Sequence, residues 1–306
     1  MTTTDVPAVP VAARPPGLSF RARAMGFVAL TKPRIVELLL VTTLPTMVVA
    51  ARGMPSVTLM LATLAGGTLA AGGANAINMY VDRDIDAVMH RTARRPLVTG
   101  AVQPTEALVF AISLEVVAFA LLWATVNLLS AVLAVSATLF YVFVYTLWLK
   151  RSSVQNIVIG GAAGAVPVLV GWAAVRDQVG LAPVLLFALI FVWTPPHFWA
   201  LAIRYRDDYR SVSVPMMPAV ATFEKTARQI VVYSVLVVAA SFGFGWAADM
   251  GPLYWASSAV LGVVFCAFAV DLYRVQTEGR AMRLFHWSIS YLTFLFAAMA
   301  VDQLIH

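Results

Sequence analysis

Asn78, Asp82 and Asp86 recur every four residues in the stretch NAINMYVDRDIDAVMHRTARRPL, at the end of a long apolar run. On a helix, positions i, i+4 and i+8 share one face, so three oxygen-bearing side chains point the same way. Ionisable groups are costly beside lipid and mostly mark functional pathways there. Mg²⁺ is commonly held by one or two carboxylates together with substrate phosphate oxygens. With Arg91, Arg94 and Arg95 close behind, the ladder predicts a Mg²⁺-diphosphate site in which Asn78, Asp82 and Asp86 hold the metal. A lone Asp after a membrane helix would read as a cap or a solvated ion pair. Asp84 falls off the shared face and is expected to pair with a loop cation.

A second polar group of residues closes another apolar run, TPPHFWALAIRYRDDYRSVSVPMMP. Pro195 and Pro196 predict a kink or break there. His197, just beyond, reads first as a histidine satisfying the broken helix, against a proton carrier or an iron ligand. Asp207 and Asp208 stand in the loop that follows. Arg91 and Arg95, at i and i+4, suit fork-like recognition of phosphate or carboxylate oxygens. Lys150 and Arg151 end a third run, where snorkelling to the surface competes with a substrate role. Asn156, a turn into the next run, is an amide that wants partners if buried.

These groups hang on a chain of 306 residues that is 61% hydrophobic and 12% charged. Nine apolar runs are long enough to cross a hydrocarbon core of about 30 Å, at 35–51, 57–81, 106–123, 126–148, 154–175, 181–203, 229–248, 252–272 and 284–302. Lipid-exposed backbone must be satisfied internally, so the runs are helices; the alternation of a barrel is missing. The fold class is therefore all-α, a polytopic membrane protein whose partner is the lipid bilayer. Residues 1–24, rich in Pro, Ala and Thr, read as a disordered cytoplasmic tail without a cleavable signal, leaving 25–306 as one nine-helix domain.

The net charge of +6 does not indicate nucleic acid. Of 21 Lys and Arg, 19 fall on one side of the nine-span arrangement, and only Arg52 and Arg176 on the other. Positive loops stay in the cytoplasm, which predicts an internal N-terminus, an external C-terminus and chemistry on the cytoplasmic side of a bacterial cell membrane. The single Cys266 excludes an intrachain disulfide or a thiolate cluster. Glu115 stands mid-span with no assigned role.

The motifs LTKPRI, NMYVDRDIDAVMHRTARRP, LKR with Asn156, TPPHFWALAIRYRDDY and VPMMP together resemble the UbiA superfamily of intramembrane prenyltransferases, and within it the branch that farnesylates haem. The resemblance runs from about residue 28 to the end of the chain. It implies nine helices around a central cavity, Mg²⁺ as cofactor, and farnesyl diphosphate and haem B as substrates. It further implies attack by the C2 vinyl group of haem B, capture of water to give haem O, and a downstream haem-modifying membrane enzyme as partner. Asn78, Asp82 and Asp86 match the first Asp-rich motif. The second, usually DxxxD, survives at one end only, because Ser211 and Val212 stand four residues after Asp207 and Asp208. Asp82, Asp86, His197 and Asp208 are then the catalytic candidates, with Asp208 a fourth metal ligand. Arg34, Arg91, Arg95, Lys150, Arg151, Asn156, Arg204 and Tyr209 are the substrate-binding candidates. A UbiA-type enzyme acting on a quinone precursor, and a non-enzymatic transporter, are the competing readings; transport would favour acids at a helix midplane rather than at helix ends.

Overall fold

The computed structural model describes residues 14–306, without the side chains of residues 34–40. All regular structure among them is helical: α1 Phe20–Leu30, α2 Pro33–Ala51, α3 Val57–Val81, α4 Arg83–Val88, α5 Pro104–Thr125 and α6 Leu128–Leu139. A π-helical segment, Phe140–Leu149, continues α6 into the single turn α7, Lys150–Ser152. Then come α8 Asn156–Arg176, α9 Leu181–Arg204, α10 Arg206–Ser211, α11 Met217–Val220, α12 Phe223–Ala247, α13 Pro252–Val275 and α14 Glu278–Ile305. Eight helices among the described residues are long and apolar enough to cross a membrane, and α2 carries a shorter apolar stretch over Val41–Ala51. Each of the nine predicted runs is thus helical, and the chain is a multi-pass membrane protein.

Helix starts follow local chemistry. Ser56 accepts from Leu59 N at the head of α3, and Asn127 from Ser130 N at the head of α6. Gln103 and Glu106 form a reciprocal capping box on α5, with Pro104 in its first turn. α13 is capped from a distance: buried Asp302 of α14 accepts from Gly251 N at 2.5 Å and Tyr254 N at 3.0 Å, placing a carboxylate on the positive end of a helix. α1 begins at Phe20, inside the segment expected to be a tail; the rest of that expectation, residues 1–13, lies outside the described residues.

The helices pack as two groups, α2, α3, α5, α6 and α8 on one side and α9, α12, α13 and α14 on the other, joined where α8 meets α9 and α2 meets α14. Between α2, α3, α6 and α8 lies an apolar cavity of about 200 Å³, lined by residues including Leu64, Ala70, Ala71, Ala137, Ala163 and Val166. Asn75 and Tyr141 also line it. Asp82 stands seven positions beyond Asn75 along the chain, about 10 Å at helical rise.

The predicted break at Pro195–Pro196 does not occur, because α9 runs unbroken through both prolines. The prolines withhold the donors that Phe191 O and Val192 O would accept from in a regular helix. Trp193 Nε1 donates to Ser288 O of α14 at 3.0 Å, and packing against α12 and α14 holds the segment helical across the gap.

Candidate active site

The ladder keeps its helical spacing across a junction. Asp82 sits between α3 and α4, and the backbone bonds Asp82 N to Asn78 O and Asp86 N to Asp82 O, both 2.9 Å, carry the i, i+4 pattern through it. Asn78, Asp82 and Asp86 are 3%, 0% and 2% exposed. Two carboxylates buried this deeply need partners, and these come from near and far along the chain. Lys150 Nζ donates to Asp82 Oδ2, and Arg95 donates to Asp86 Oδ2 at 2.5 Å. Asn78 Nδ2 donates to Asp82 Oδ2 at 2.7 Å and to Thr146 Oγ1 at 3.2 Å. Thr146 belongs to the π-helical segment and donates in turn to Tyr141 O at 2.8 Å, so the wide turn delivers both Thr146 and, just beyond it, Lys150.

Lys32, of the LTKPRI motif and not among the site candidates, belongs to this cluster. Its Nζ donates to Asn78 Oδ1 at 3.0 Å. Burial, then repulsion by Arg95 and Lys150, lowers its pKa to about 7; a neighbouring anion would favour its charged form. Burial also pushes the Asp86 carboxyl up, against the opposing pull of Arg95. The signal for Lys32 was its place before Pro33 in LTKPRI, yet only the joint between α1 and α2 shows where the side chain goes.

Other expected residues divide. Asp84 meets Arg151 in a two-pronged pair at 2.7 Å for each bond; burial opposes ionisation, but that pair holds Asp84 below its ordinary value. Arg151 also stands 3.7 Å from Asp82 Oδ1, an oxygen that is buried and has no hydrogen bond. Asn156 is fully buried beneath Lys150, with Nδ2 3.4 Å from Lys150 O. Arg91 and Arg95 do not share a helix face, because the segment before Pro96 is a run of turns. Arg95 turns to Asp86, whereas Arg91 lies over the rings of Tyr205 and Tyr209 at 5.4 and 6.0 Å. Burial raises the Tyr209 phenol.

Asp208 approaches from the facing loop, accepting from Arg91 N at 3.2 Å. Arg204 is instead at the surface, 3.6 Å from Glu278. His197 is held on α14, with Nδ1 2.7 Å from Ser288 Oγ and its ring between Trp193 at 4.3 Å and Phe285 at 4.8 Å. Arg34 lies among the residues whose side chains are not described.

Among the described residues no three His, Cys, Asp or Glu side chains gather as a metal cage. The donors near Asp82 are a different set: an amide and two carboxylates, one of which, Asp82, has an oxygen without a hydrogen bond. They fit Mg²⁺, which takes few protein oxygens and completes its shell with phosphate and water. Hard oxygen ligands ringed by lysine and arginine, beyond Asn75 at one end of the apolar cavity's lining, suit a metal-bound anion.

The family follows from comparison. Residues 39–295 match the UbiA prenyltransferase family. The chain is 55% identical over 287 residues to the protoheme IX farnesyltransferase of Frankia alni, covering 93% of this chain and 99% of that one. Its fold superposes on a digeranylgeranylglyceryl phosphate synthase with a TM-score of 0.76 at 16% identity, over 93% of this chain and 99% of that one. An Archaeoglobus fulgidus UbiA homologue bound to GPP and Mg²⁺ superposes with a TM-score of 0.61 at 16% identity, over 90% of this chain and 99% of that one. The chain belongs to the UbiA prenyltransferase family.

Proposed function

We propose that this enzyme transfers the farnesyl group of farnesyl diphosphate to the C2 vinyl group of haem B, with addition of water, to give haem O. The observation that carries the reading is the buried Asn78–Asp82–Asp86 ladder, tied to Lys32, Lys150 and Arg95. Similarity to the Frankia alni farnesyltransferase supports the substrates, and the GPP and Mg²⁺ of the Archaeoglobus homologue support the metal.

Asn78, Asp82 and Asp86 would hold Mg²⁺, with Asp208 facing them from the second loop. Bound there, Mg²⁺ offsets the charge that grows on the departing diphosphate. Arg95, Lys150 and Arg91 are preplaced cations for the same charge, so little reorganisation is needed as the C–O bond breaks. Asn156 positions Lys150. The alanine- and valine-lined cavity takes the farnesyl chain and keeps water from the allylic cation. His197, clamped by Trp193, Phe285 and Ser288, serves the haem half of the reaction. Arg151 and Tyr209 border the site as substrate-binding residues.

Residues 25–306 form the catalytic domain, with the N-terminus and both charged loops cytoplasmic; the 19-to-2 division of Lys and Arg supports this orientation. The test is incubation of purified protein with haem B, farnesyl diphosphate and Mg²⁺, followed by mass analysis of the pigment. A product heavier than haem B by one farnesyl group and one hydroxyl group is expected. Unchanged haem B, or a prenylated quinone precursor in a parallel reaction, would overturn the reading.

A further inference from the structure

The joint between α1 and α2 is held over the acidic ladder at two points. Asn75 Nδ2 donates to Thr31 O at 3.2 Å, gripping the backbone, while Asn78 Oδ1 accepts from Lys32 Nζ at 3.0 Å, gripping the side chain. Gly72 permits the approach, since a Cβ there would lie 3.2 Å from Thr31 Cβ. Lys32 itself sits at φ 52°, ψ 65°, ahead of Pro33. That left-handed conformation is uncommon for a residue with a side chain and persists where surrounding contacts enforce it.

The orientation of the Asn78 amide follows from its partners. A carboxylate can only accept, so the amide nitrogen faces Asp82 and Thr146, and the oxygen is left facing Lys32 Nζ. The oxygen through which Asn78 would bind a metal thus meets Lys32 Nζ, and two cations at one amide oxygen repel each other. Around it, Arg95 and Lys150 already balance Asp82 and Asp86, so charge on Lys32 is a surplus that Mg²⁺ would enlarge.

We propose that Lys32 is a diphosphate-binding residue and that Lys32 and Mg²⁺ are alternative partners of Asn78 Oδ1. As the metal-diphosphate enters, Lys32 Nζ passes from the amide oxygen to a diphosphate oxygen and frees Asn78 for the metal. Lys32 thereby opposes binding of metal alone and favours binding of metal with diphosphate. The inference rests on the site assignment above and assigns the role to a residue outside the Asp-rich motifs.

The two halves of the proposal have opposite signs. In purified full-length protein, Mn²⁺ alone, followed by its electron paramagnetic resonance, should bind about threefold or more tightly to Lys32→Met and Lys32→Gln than to the parent. Inorganic diphosphate in the presence of Mg²⁺, followed by calorimetry, should bind the same variants about tenfold more weakly. Lys32→Gln keeps a hydrogen-bond donor for Asn78, so it separates loss of charge from loss of local structure. Lys32→Arg should keep diphosphate affinity near that of the parent. Both affinities falling together, or neither moving, would overturn the proposal. Parent protein that binds neither probe in a manner sensitive to Asp82→Ala would instead remove the site assignment beneath it.

Discussion

Two acidic segments of this protein are built alike and placed differently. Each follows a long apolar helix, and each opens a six-residue helix with two acids in its first turn: Asp84 and Asp86 in α4, Asp207 and Asp208 in α10. In the first segment both acids are buried: Asp82 draws in Lys150 from 68 positions away along the chain, and Asp86 takes Arg95 from beyond its own helix. In the second, Asp207 is 81% exposed at its side chain and pairs with Arg206 and Arg210 of its own helix. Local pairs in water contribute little. Buried pairs assembled from distant segments cost desolvation and are kept where they perform a task. The contrast teaches that motif spacing nominates a site, and burial with remote partners selects it.

The largest expected effect comes from breaking the first segment. Asp82→Ala should lower farnesyl transfer by at least about 10²- to 10³-fold while the protein still inserts, and chelation of divalent metal should mimic it. Asp207→Ala should leave turnover near normal in the same assay. Equal losses in both variants would erase the distinction between the two segments.

Asp208 occupies the middle ground. Its carboxylate is 16% exposed and stands 3.6 Å from His90 Nδ1 as well as near Arg91 N. Asp208→Ala should raise KM for farnesyl diphosphate by about tenfold through loss of the loop that presents Arg91. A loss in kcat as deep as that of Asp82→Ala would mean that Asp208 acts on the metal equally.

His197→Ala sharpens the comparison from outside both segments. Removing the imidazole should weaken haem binding, measured by its absorption spectrum, by about tenfold, with affinity for inorganic diphosphate unchanged. Equal loss of both affinities would identify His197 as a packing residue between α9 and α14.

How much of this could be read in advance follows physical lines. The spans were legible because an apolar run in lipid has few alternatives to a helix. The ladder was legible because i, i+4 spacing is a property of the helix itself, and it survives the junction at Asp82. The place of Lys32 was not, because it depends on a joint fixed by Asn75 and Gly72 of another helix. The continuity of α9 was misjudged because the support for Pro195 and Pro196 is tertiary, through Ser288 and the packing of α12 and α14. The divergence of Arg91 from Arg95 was hidden by assuming helix where Pro96 and the preceding turns set the path. The π-helical widening at Phe140–Leu149 likewise left no periodic signal, although it presents Thr146 to Asn78.

The smallest effect concerns Asp84, inside the first segment and paired with the remote Arg151, yet partly open to water as the acids of the second segment are. Its side chain is 30% exposed and meets Arg151, itself 35% exposed, at the outer edge of the cluster. By the rule drawn from the two segments, this pair belongs with the solvated ones despite its place between two buried acids. Asp84→Asn should therefore cost about 1 kcal/mol or less in stability and change transfer by less than about threefold. Arg151 holds the Asp84 pKa below its ordinary 3.8, so the pair's stabilisation is full above that value. It is lost as pH falls through the lowered one, because the carboxylate must then be protonated. Thermal melts of parent and variant should differ slightly near neutrality and converge in acid. A difference that persists in acid, or a variant as inactive as Asp82→Ala, would show that Asp84 acts within the buried cluster and that remoteness of partner and depth of burial do not by themselves separate the two kinds of acid.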